Sequence, residues 1–220
     1  YKVIEKVLSK NPKHIVALNL RGEIDLAFNK VEEATSSFNK ALDIQPAWWI
    51  PYRNLAAIKT RDGHVEKAIE ILKSALPATK NAPSILSELA LLQARSGDRA
   101  GAKESYRAVL EVQPSNLVVL NNLAMLLVDD EATEVDLEEA SRLVVDLPEH
   151  KAPLLDTKAW VAFRAGDAAS AETLIQKGLK SAPESPDLHY HYGLMQEAKG
   201  DQAKAIEHLK KAVELGSRGF

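Results

Sequence analysis

The stretch Ala34-Thr35-Ser36-Ser37-Phe38-Asn39-Lys40-Ala41-Leu42-Asp43-Ile44-Gln45-Pro46 decides the fold, because its pattern recurs. Ala34, Phe38, Ala41 and Leu42 fall at i, i+4, i+7 and i+8, one stripe of an α-helix, and Pro46 stops it. Steps of 34 residues carry Ala34 to Ala68 and then to Ala102. The same step carries Pro12 to Pro46, Gly63 to Gly97 and Gly166 to Gly200. A fixed period of this size marks a repeat array and not a globular enzyme domain. In such arrays the working surface is a long groove formed by neighbouring units.

Bulk properties agree. A length of 220 residues allows one or two domains, and the period favours one elongated array over 1–220. Apolar residues make up 45% of the chain, enough for a continuous core, while aromatics at 5% disfavour a β-sandwich. A net charge of −3, with acids and bases interspersed, leaves no electrostatic footprint for nucleic acid. The absence of cysteine excludes disulfides and thiolate zinc sites without identifying a compartment. No apolar run reaches membrane-spanning length, and no signal peptide is visible. Tyr1 to Pro12 has the pattern of a second helix of a unit, with Ile4, Val7 and Leu8 on one face. Residues upstream, including any export signal, are therefore expected to lie outside this sequence.

Each unit is expected to be two antiparallel helices. In the first, helix A is placed at about His14 to Phe28 and helix B at about Glu32 to Ile44. Small residues recur at one phase of the A helices (Gly22, Ala56, Ala90, Ala124, Ala159, Gly193) and at one phase of the B helices (Ala34, Ala68, Ala102, Ala140, Ala171, Ala205). Close helix approach explains them, since larger side chains there would overpack. Gly63, Gly97, Gly166 and Gly200 suit the left-handed residue that ends helix A. Asp98, Asp167 and Asp201 follow them and can cap helix B. Pro83 and Pro186 suit the first helical position, where a missing N–H costs nothing.

In these features the chain resembles the tetratricopeptide repeat family over about Ile15 to Leu215. A partial repeat, 1–14, precedes six repeats at 15–48, 49–82, 83–116, 117–151, 152–185 and 186–217. The resemblance implies an all-α, right-handed superhelical solenoid with A helices lining a concave face. Individual motifs are degenerate: in the first repeat Leu18, Arg21 and Asp25 stand where the family has Trp, Leu and Tyr. Repeat four departs most. An acidic insertion at 129–136 lengthens its A–B turn, and the link from Pro148 to Ala152 is read as short. A narrower resemblance rests on Leu120 to Leu127, Leu155 to Trp160 and Phe163 to Asp167. These phrases look like the C-terminal repeats of bacterial TPR lipoproteins of PEP-CTERM/exosortase exopolysaccharide systems. That likeness implies a periplasmic or outer-membrane setting and a role in polysaccharide or protein export.

With A helices facing inward, the expected groove residues are Asn19, Glu23, Arg53, Asn54, Ala57, Ser87, Leu91, Asn121, Asn122, Met125, Asp156, Trp160, Tyr190 and Leu194. Amides can bond a peptide backbone, guanidinium groups can pair with carboxylates, and aromatics can anchor apolar groups. The bland alternative is a merely tolerated polar face. Arg61, Arg95 and Arg164 share one phase near the ends of their A helices. They suit either a basic ladder for an acidic ligand or, more simply, the helix macrodipole.

The co-chaperone version of the family grips a C-terminal carboxylate with Lys and Asn. Asn19, Glu23, Asn54, Ser84 and Glu88 occupy those places here, so the basic residues are missing. The asparagine ladder of the glycosyltransferase version is matched by Asn54 and Asn122 but interrupted by Leu20, Glu88, Thr157 and His191.

His189 and His191 point about 200° apart on a helix and cannot share a metal. His14, His64, His150 and His208 are placed in unrelated units, so no metal is expected. The insertion lacks the glycine and the spacing of a calcium loop and reads as a solvated turn. One ring of Trp48-Trp49 is expected to fill the seam between the first two repeats. No phosphate-cradling loop, nucleophile elbow or cleft-held acid pair is present.

The sequence therefore points to a non-catalytic scaffold, without cofactor, that holds an extended or helical protein segment. Two alternatives stand beside it: a carbohydrate-handling accessory contacting sugar through Trp160, Tyr190 and Asn/Asp side chains, or an adaptor region of a larger enzyme. Self-association through exposed array ends is a further expectation.

Overall fold

The structure, a computed structural model, describes residues 1–129 and 131–216. Regular structure among these residues is entirely helical. The chain forms two compact units, Tyr1–Pro114 and Ser115–Phe220. Unit one contains α1 (Lys2–Lys10), α2 (Ile15–Ala27), α3 (Val31–Ile44), α4 (Trp49–Arg61), α5 (Val65–Thr79), α6 (Pro83–Ser96) and α7 (Arg99–Val112). Unit two contains α8 (Leu117–Leu127), α9 (Glu134–Val144), α10 (Ala152–Arg164), α11 (Ala168–Ser181), α12 (Pro186–Lys199) and α13 (Gln202–Gly216). After α1, helices pack as antiparallel pairs, α2 with α3 through to α12 with α13. Each second helix also packs on the first helix of the next pair in its own unit. First helices touch one another directly within a unit: α2 with α4, α4 with α6, α8 with α10, and α10 with α12.

The core is built from the periodic small residues. Ala34, Ala68, Ala102, Ala140, Ala171 and Ala205 are all buried, as are Ala56, Ala90, Ala124 and Ala159. At Gly22 a methyl group would stand 2.6 Å from the Phe38 ring, and at Gly193 it would stand 2.7 Å from Leu209 Cγ. Large residues fill the spaces between: Phe38 against Ile58 and Ala34 in unit one, Ile175 and Leu188 against Ala159 and Ala171 in unit two. Trp48 packs on Leu8, Leu18 and Ala41, whereas Trp49 lies against the Ala56 and Leu72 cluster.

Turn chemistry follows the backbone. Gly63, Gly97, Gly166 and Gly200 have φ between +78° and +89°, where a Cβ is penalised. Asn29 takes the same place in the first pair at φ 58°, as asparagine tolerates this region. The Asp98 and Asp167 side chains accept from the amides of Gly101 and Ser170, and Asp201 accepts from that of Lys204. Each such cap stabilises its helix by about 1 kcal/mol.

Repeat four differs from its sequence reading at one end. Helix α9 stops at Val144, so the link to α10 is longer than the stretch from Pro148 to Ala152. The cause is Lys158 of α10. Its ammonium donates to the carbonyls of Val145 (3.1 Å) and Leu147 (3.3 Å) and to Glu149 (3.2 Å), holding the chain in a non-helical path. At the other end, Thr133 and Asp136 form a reciprocal cap on α9, and Asp129 Oδ1 accepts from the Glu131 amide. Two acids of the insertion thus serve its own backbone, and Asp130 lies outside the described residues.

The degenerate slots have partners. Arg21, in an apolar slot of α2, donates from Nε to Ser37 Oγ at 3.0 Å and stands 3.9 Å from Glu5 of α1. Gln93 is buried, donates to Asp98 and accepts from Ser105. Tyr192 and Gln196 of α12 both donate to Glu172 of α11, at 2.7 and 3.0 Å. Burial works against the Glu172 charge, but the bonds from Tyr192 and Gln196 outweigh it and hold the carboxyl below its ordinary range. Asp25 is the exception: it is 1% exposed, and its Oδ1 has no hydrogen-bond partner. Such a group costs about 1–3 kcal/mol.

Candidate functional site

The expected groove residues lie on the first helices, and each unit presents its own set. In unit one, α2 carries Asn19 and Glu23, α4 carries Arg53, Asn54, Ala57 and Arg61, and α6 carries Ser87, Leu91 and Arg95. Helix spacing puts each set on one face. The structure draws three of them together. Asn54 Nδ2 donates to Asn19 Oδ1 at 3.2 Å and to Glu23 Oε1 at 3.3 Å, while Asn19 Nδ2 donates to Glu23 Oε1 at 2.8 Å. Asn19 is only 4% exposed, so it ties α2 to α4 and offers little to a ligand. Arg53 lies over the Trp49 ring at 5.2 Å. Arg61 and Arg95 are exposed in the last turns of their helices, where a cation also complements the helix dipole. Ser87 Oγ donates to the Pro83 carbonyl of its own helix. Leu91 is half-buried.

In unit two, α8 carries Asn121, Asn122 and Met125, α10 carries Asp156, Trp160 and Arg164, and α12 carries Tyr190 and Leu194. Thr157 Oγ1 donates to Asn121 Oδ1 at 2.6 Å. His191 Nδ1 lies 2.9 Å from both oxygens of Asp156. Asp156 and His191 are both buried, so this pair links α10 to α12. Trp160 stacks on His191 at 4.6 Å between centroids and on Phe163 at 5.3 Å. Arg164 lies 5.8 Å from the Trp160 ring and donates from Nη2 to the Asp129 carbonyl at 2.6 Å. Asp156, Trp160 and Arg164 are thereby engaged with the protein itself. Tyr190 is 49% exposed beside His191, and Met125 and Leu194 are half-buried. A sugar ring stacks on an open aromatic face, and much of Trp160 is covered.

The sequence reading missed the links between first helices. Asn19 with Asn54 and Asp156 with His191 are pairs 35 residues apart, and Asn121 with Thr157 is 36 apart across the lengthened repeat. The signal was present as complementary polar residues one position beyond the period. The histidine reading needs correction. His208 does not lie in a unit unrelated to His189: both belong to the α12–α13 pair, with Nδ1 atoms 2.8 Å apart and rings stacked at 4.9 Å. The 19-residue separation crosses one helix turn and hid this from motif spacing. Among the described residues no three His, Cys, Asp or Glu side chains converge as a metal set. Nor is any helix among them long and apolar enough to cross a membrane.

On this same face of unit two lies a recess of about 270 Å³ between the starts of α8 and α10. Leu117, Val118, Pro153 and Leu154 supply apolar walls, and Asn121, Asn122 and Lys151 supply its polar groups. Val118 is 68% exposed. Such a mixture, an apolar hollow with a few fixed polar groups, suits one side chain and the adjoining backbone of a bound segment.

Comparison with known proteins agrees with the helix-pair architecture. Residues 83–116 and 157–219 each match a family model described as tetratricopeptide repeat. These two stretches carry tetratricopeptide repeats, and the helices of each unit are arranged as antiparallel pairs. A TPR repeat-containing protein of Pseudomonas aeruginosa is 28% identical over 168 residues, which are 74% of this chain and 28% of that relative. This chain therefore spans little more than a quarter of the relative's length. Among solved structures, a tetratricopeptide repeat protein from Parabacteroides merdae superposes with a TM-score of 0.64 at 21% identity, covering 98% of this chain and 85% of that one. YrrB, described as a TPR protein with an unusual peptide-binding site, gives a TM-score of 0.60 at 22% identity, with coverage of 81% and 91%. At these identities the structural likeness concerns the fold.

Proposed function

We propose that this chain is a non-catalytic scaffold that binds a segment of a protein partner on the exposed face of its first helices. The recess between α8 and α10 carries this reading. It lies among the residues expected from sequence to meet a ligand, and it pairs an apolar hollow with amide groups suited to a peptide backbone. Each unit also has exposed apolar side chains on its first helices: Val16 and Leu20 on α2 in unit one, and Val118 on α8 and Tyr190 on α12 in unit two. The tetratricopeptide-repeat matches support the reading, since such repeats generally mediate protein–protein interaction, and YrrB, of similar fold, is described as having a peptide-binding site.

Asn19, Asp156, Trp160 and Arg164 hold helices together in this reading. Contact with the partner falls to Val118, Asn122, Met125 and Tyr190 in unit two, and to Arg53, Leu91 and Arg95 in unit one. The export setting implied by the lipoprotein-like phrases, polysaccharide as a ligand, and self-association through array ends rest on sequence resemblance and chain-end reasoning alone. The protein-segment reading has the recess in addition.

The test is affinity capture of partners from the native host with Val118→Glu combined with Tyr190→Ala. Both positions are exposed, so circular dichroism and melting should match the parent. Loss of the captured partner by the folded variant is the expected result. Undiminished capture would move the binding surface elsewhere.

A further inference from the structure

The recess between α8 and α10 also constrains what the bound segment carries, an inference that rests on the protein-segment reading above. At about 270 Å³ it is smaller than the roughly 300–1,000 Å³ that a whole small molecule occupies. Leu117, Val118, Pro153 and Leu154 wall it, so one apolar side chain of a partner fills it. The polar groups beside that side chain then select its neighbour.

Lys151 is the only charged residue in the lining, and it is exposed. The acids nearest to it in sequence are engaged elsewhere. Glu149 accepts from the ammonium groups of Lys158 and Lys177, at 3.2 and 2.8 Å, and Asp156 faces His191. Among the described residues no carboxylate pairs with Lys151. It stands at the N-cap of α10 without making a cap bond, at the helix end where a cation is disfavoured. The fold gains nothing from its charge there.

Asn121 supplies a second, independent observation. Its Oδ1 is taken by Thr157 at 2.6 Å, which leaves Nδ2 as the group it offers, and the contact of Nδ2 with Asn122 Oδ1 is long at 3.5 Å. Lys151 and Asn121 thus both offer N–H groups to a ligand. A group that answers two donors, one of them a cation, is a carboxylate. A chain terminus would carry its carboxylate into the apolar hollow behind its last side chain, whereas Lys151 is exposed. The carboxylate therefore belongs to a side chain next to the apolar one.

We infer that the segment bound here carries an apolar residue adjoined by aspartate or glutamate. The apolar side chain fills the recess, and the carboxylate accepts from Lys151 and Asn121.

Amide chemical shifts of the full chain should be followed while adding acetyl-Gly-Glu-Leu-Glu-Gly-amide. The comparison peptides replace both Glu by Gln, or Leu by Ala. The expected result is saturable shifts at Leu117 to Asn122 and Lys151 to Leu154. Gln should weaken binding about threefold to fivefold, the upper range for one exposed ion pair, and Ala should abolish it. Lys151→Ala should weaken the Glu peptide by the same factor and leave the Gln peptide unchanged. Lys151→Glu should reverse the order in favour of acetyl-Gly-Lys-Leu-Lys-Gly-amide. Both variants keep the fold, since the side chain is exposed and caps nothing, and circular dichroism checks this. Equal binding of the Glu and Gln peptides, or an unchanged order in the folded variants, would overturn the inference and leave the protein-segment reading intact. Tighter binding of acetyl-Gly-Gly-leucine with a free carboxylate would overturn it by assigning the carboxylate to a chain terminus. Absence of saturable shifts with every peptide would overturn it too, and the capture experiment with Val118→Glu and Tyr190→Ala decides separately whether the protein-segment reading stands.

Discussion

His191 of α12 presents Nδ1 at 2.9 Å to both carboxylate oxygens of Asp156 in α10. Two neighbouring first helices are thus joined by a polar clasp that Trp160 covers from the side. Asp156→Ala removes the acceptor and strands a buried imidazole N–H, with a loss of about 1–3 kcal/mol. Asp156→Asn keeps one acceptor oxygen and should recover part of that loss. Urea denaturation compares the three proteins. Equal stability of the alanine variant would mean that the clasp contributes nothing.

The second histidine pair gives a pH dependence. His189 Nε2 lies 3.0 Å from the Pro183 carbonyl, which fixes the proton on that nitrogen and leaves Nδ1 as acceptor for His208 Nδ1–H. Burial, and secondarily the neighbouring His189, lower the pKa of His208 from its ordinary 6.5. The fold therefore favours neutral His208. Its contribution is full above the unfolded value and is lost as pH falls from 6.5 down through the folded value. Melting temperatures of the parent should drop over this window by more than those of His208→Phe. Parallel curves for the two proteins would contradict the assignment.

Close approach of helices sets the third prediction. Ala102 is fully buried, and at Gly193 an added methyl would also stand 3.2 Å from the Leu209 backbone nitrogen. Ala102→Leu and Gly193→Ala should each cost roughly 1–3 kcal/mol by overpacking. Thermal melting reads both directly. A melting temperature unchanged by Ala102→Leu would show that α7 has room at that position.

Much of this fold is legible in the sequence, because small residues, turn glycines and helix-stopping prolines each answer a local steric demand. Ala34, Gly97 and Pro83 announce their roles without reference to anything distant. Asp98 and Asp167 do the same, since a cap bonds three residues ahead. The site is less legible. Asn19, Asp156 and Arg164 have residue types suited to a ligand, yet their bonds go to Asn54, His191 and the Asp129 carbonyl. Periodicity says which face a residue occupies; it does not say whether the residue across the helix seam satisfies it. Arg21 and Gln196 look like defects in an apolar motif until Glu5 and Glu172 are placed beside them. Asn29 escaped notice as a turn residue because asparagine performs there a task that glycine performs at the equivalent turns.

Hydrogen–deuterium exchange with a captured partner, free against bound, tests the central claim most directly. Binding on the first-helix face predicts slowed exchange concentrated in α8, α10 and α12, or in α2, α4 and α6, with the second helices of the same unit little changed. Protection centred on the second helices, α3, α5, α7, α9, α11 or α13, with the first helices unaltered, would contradict it.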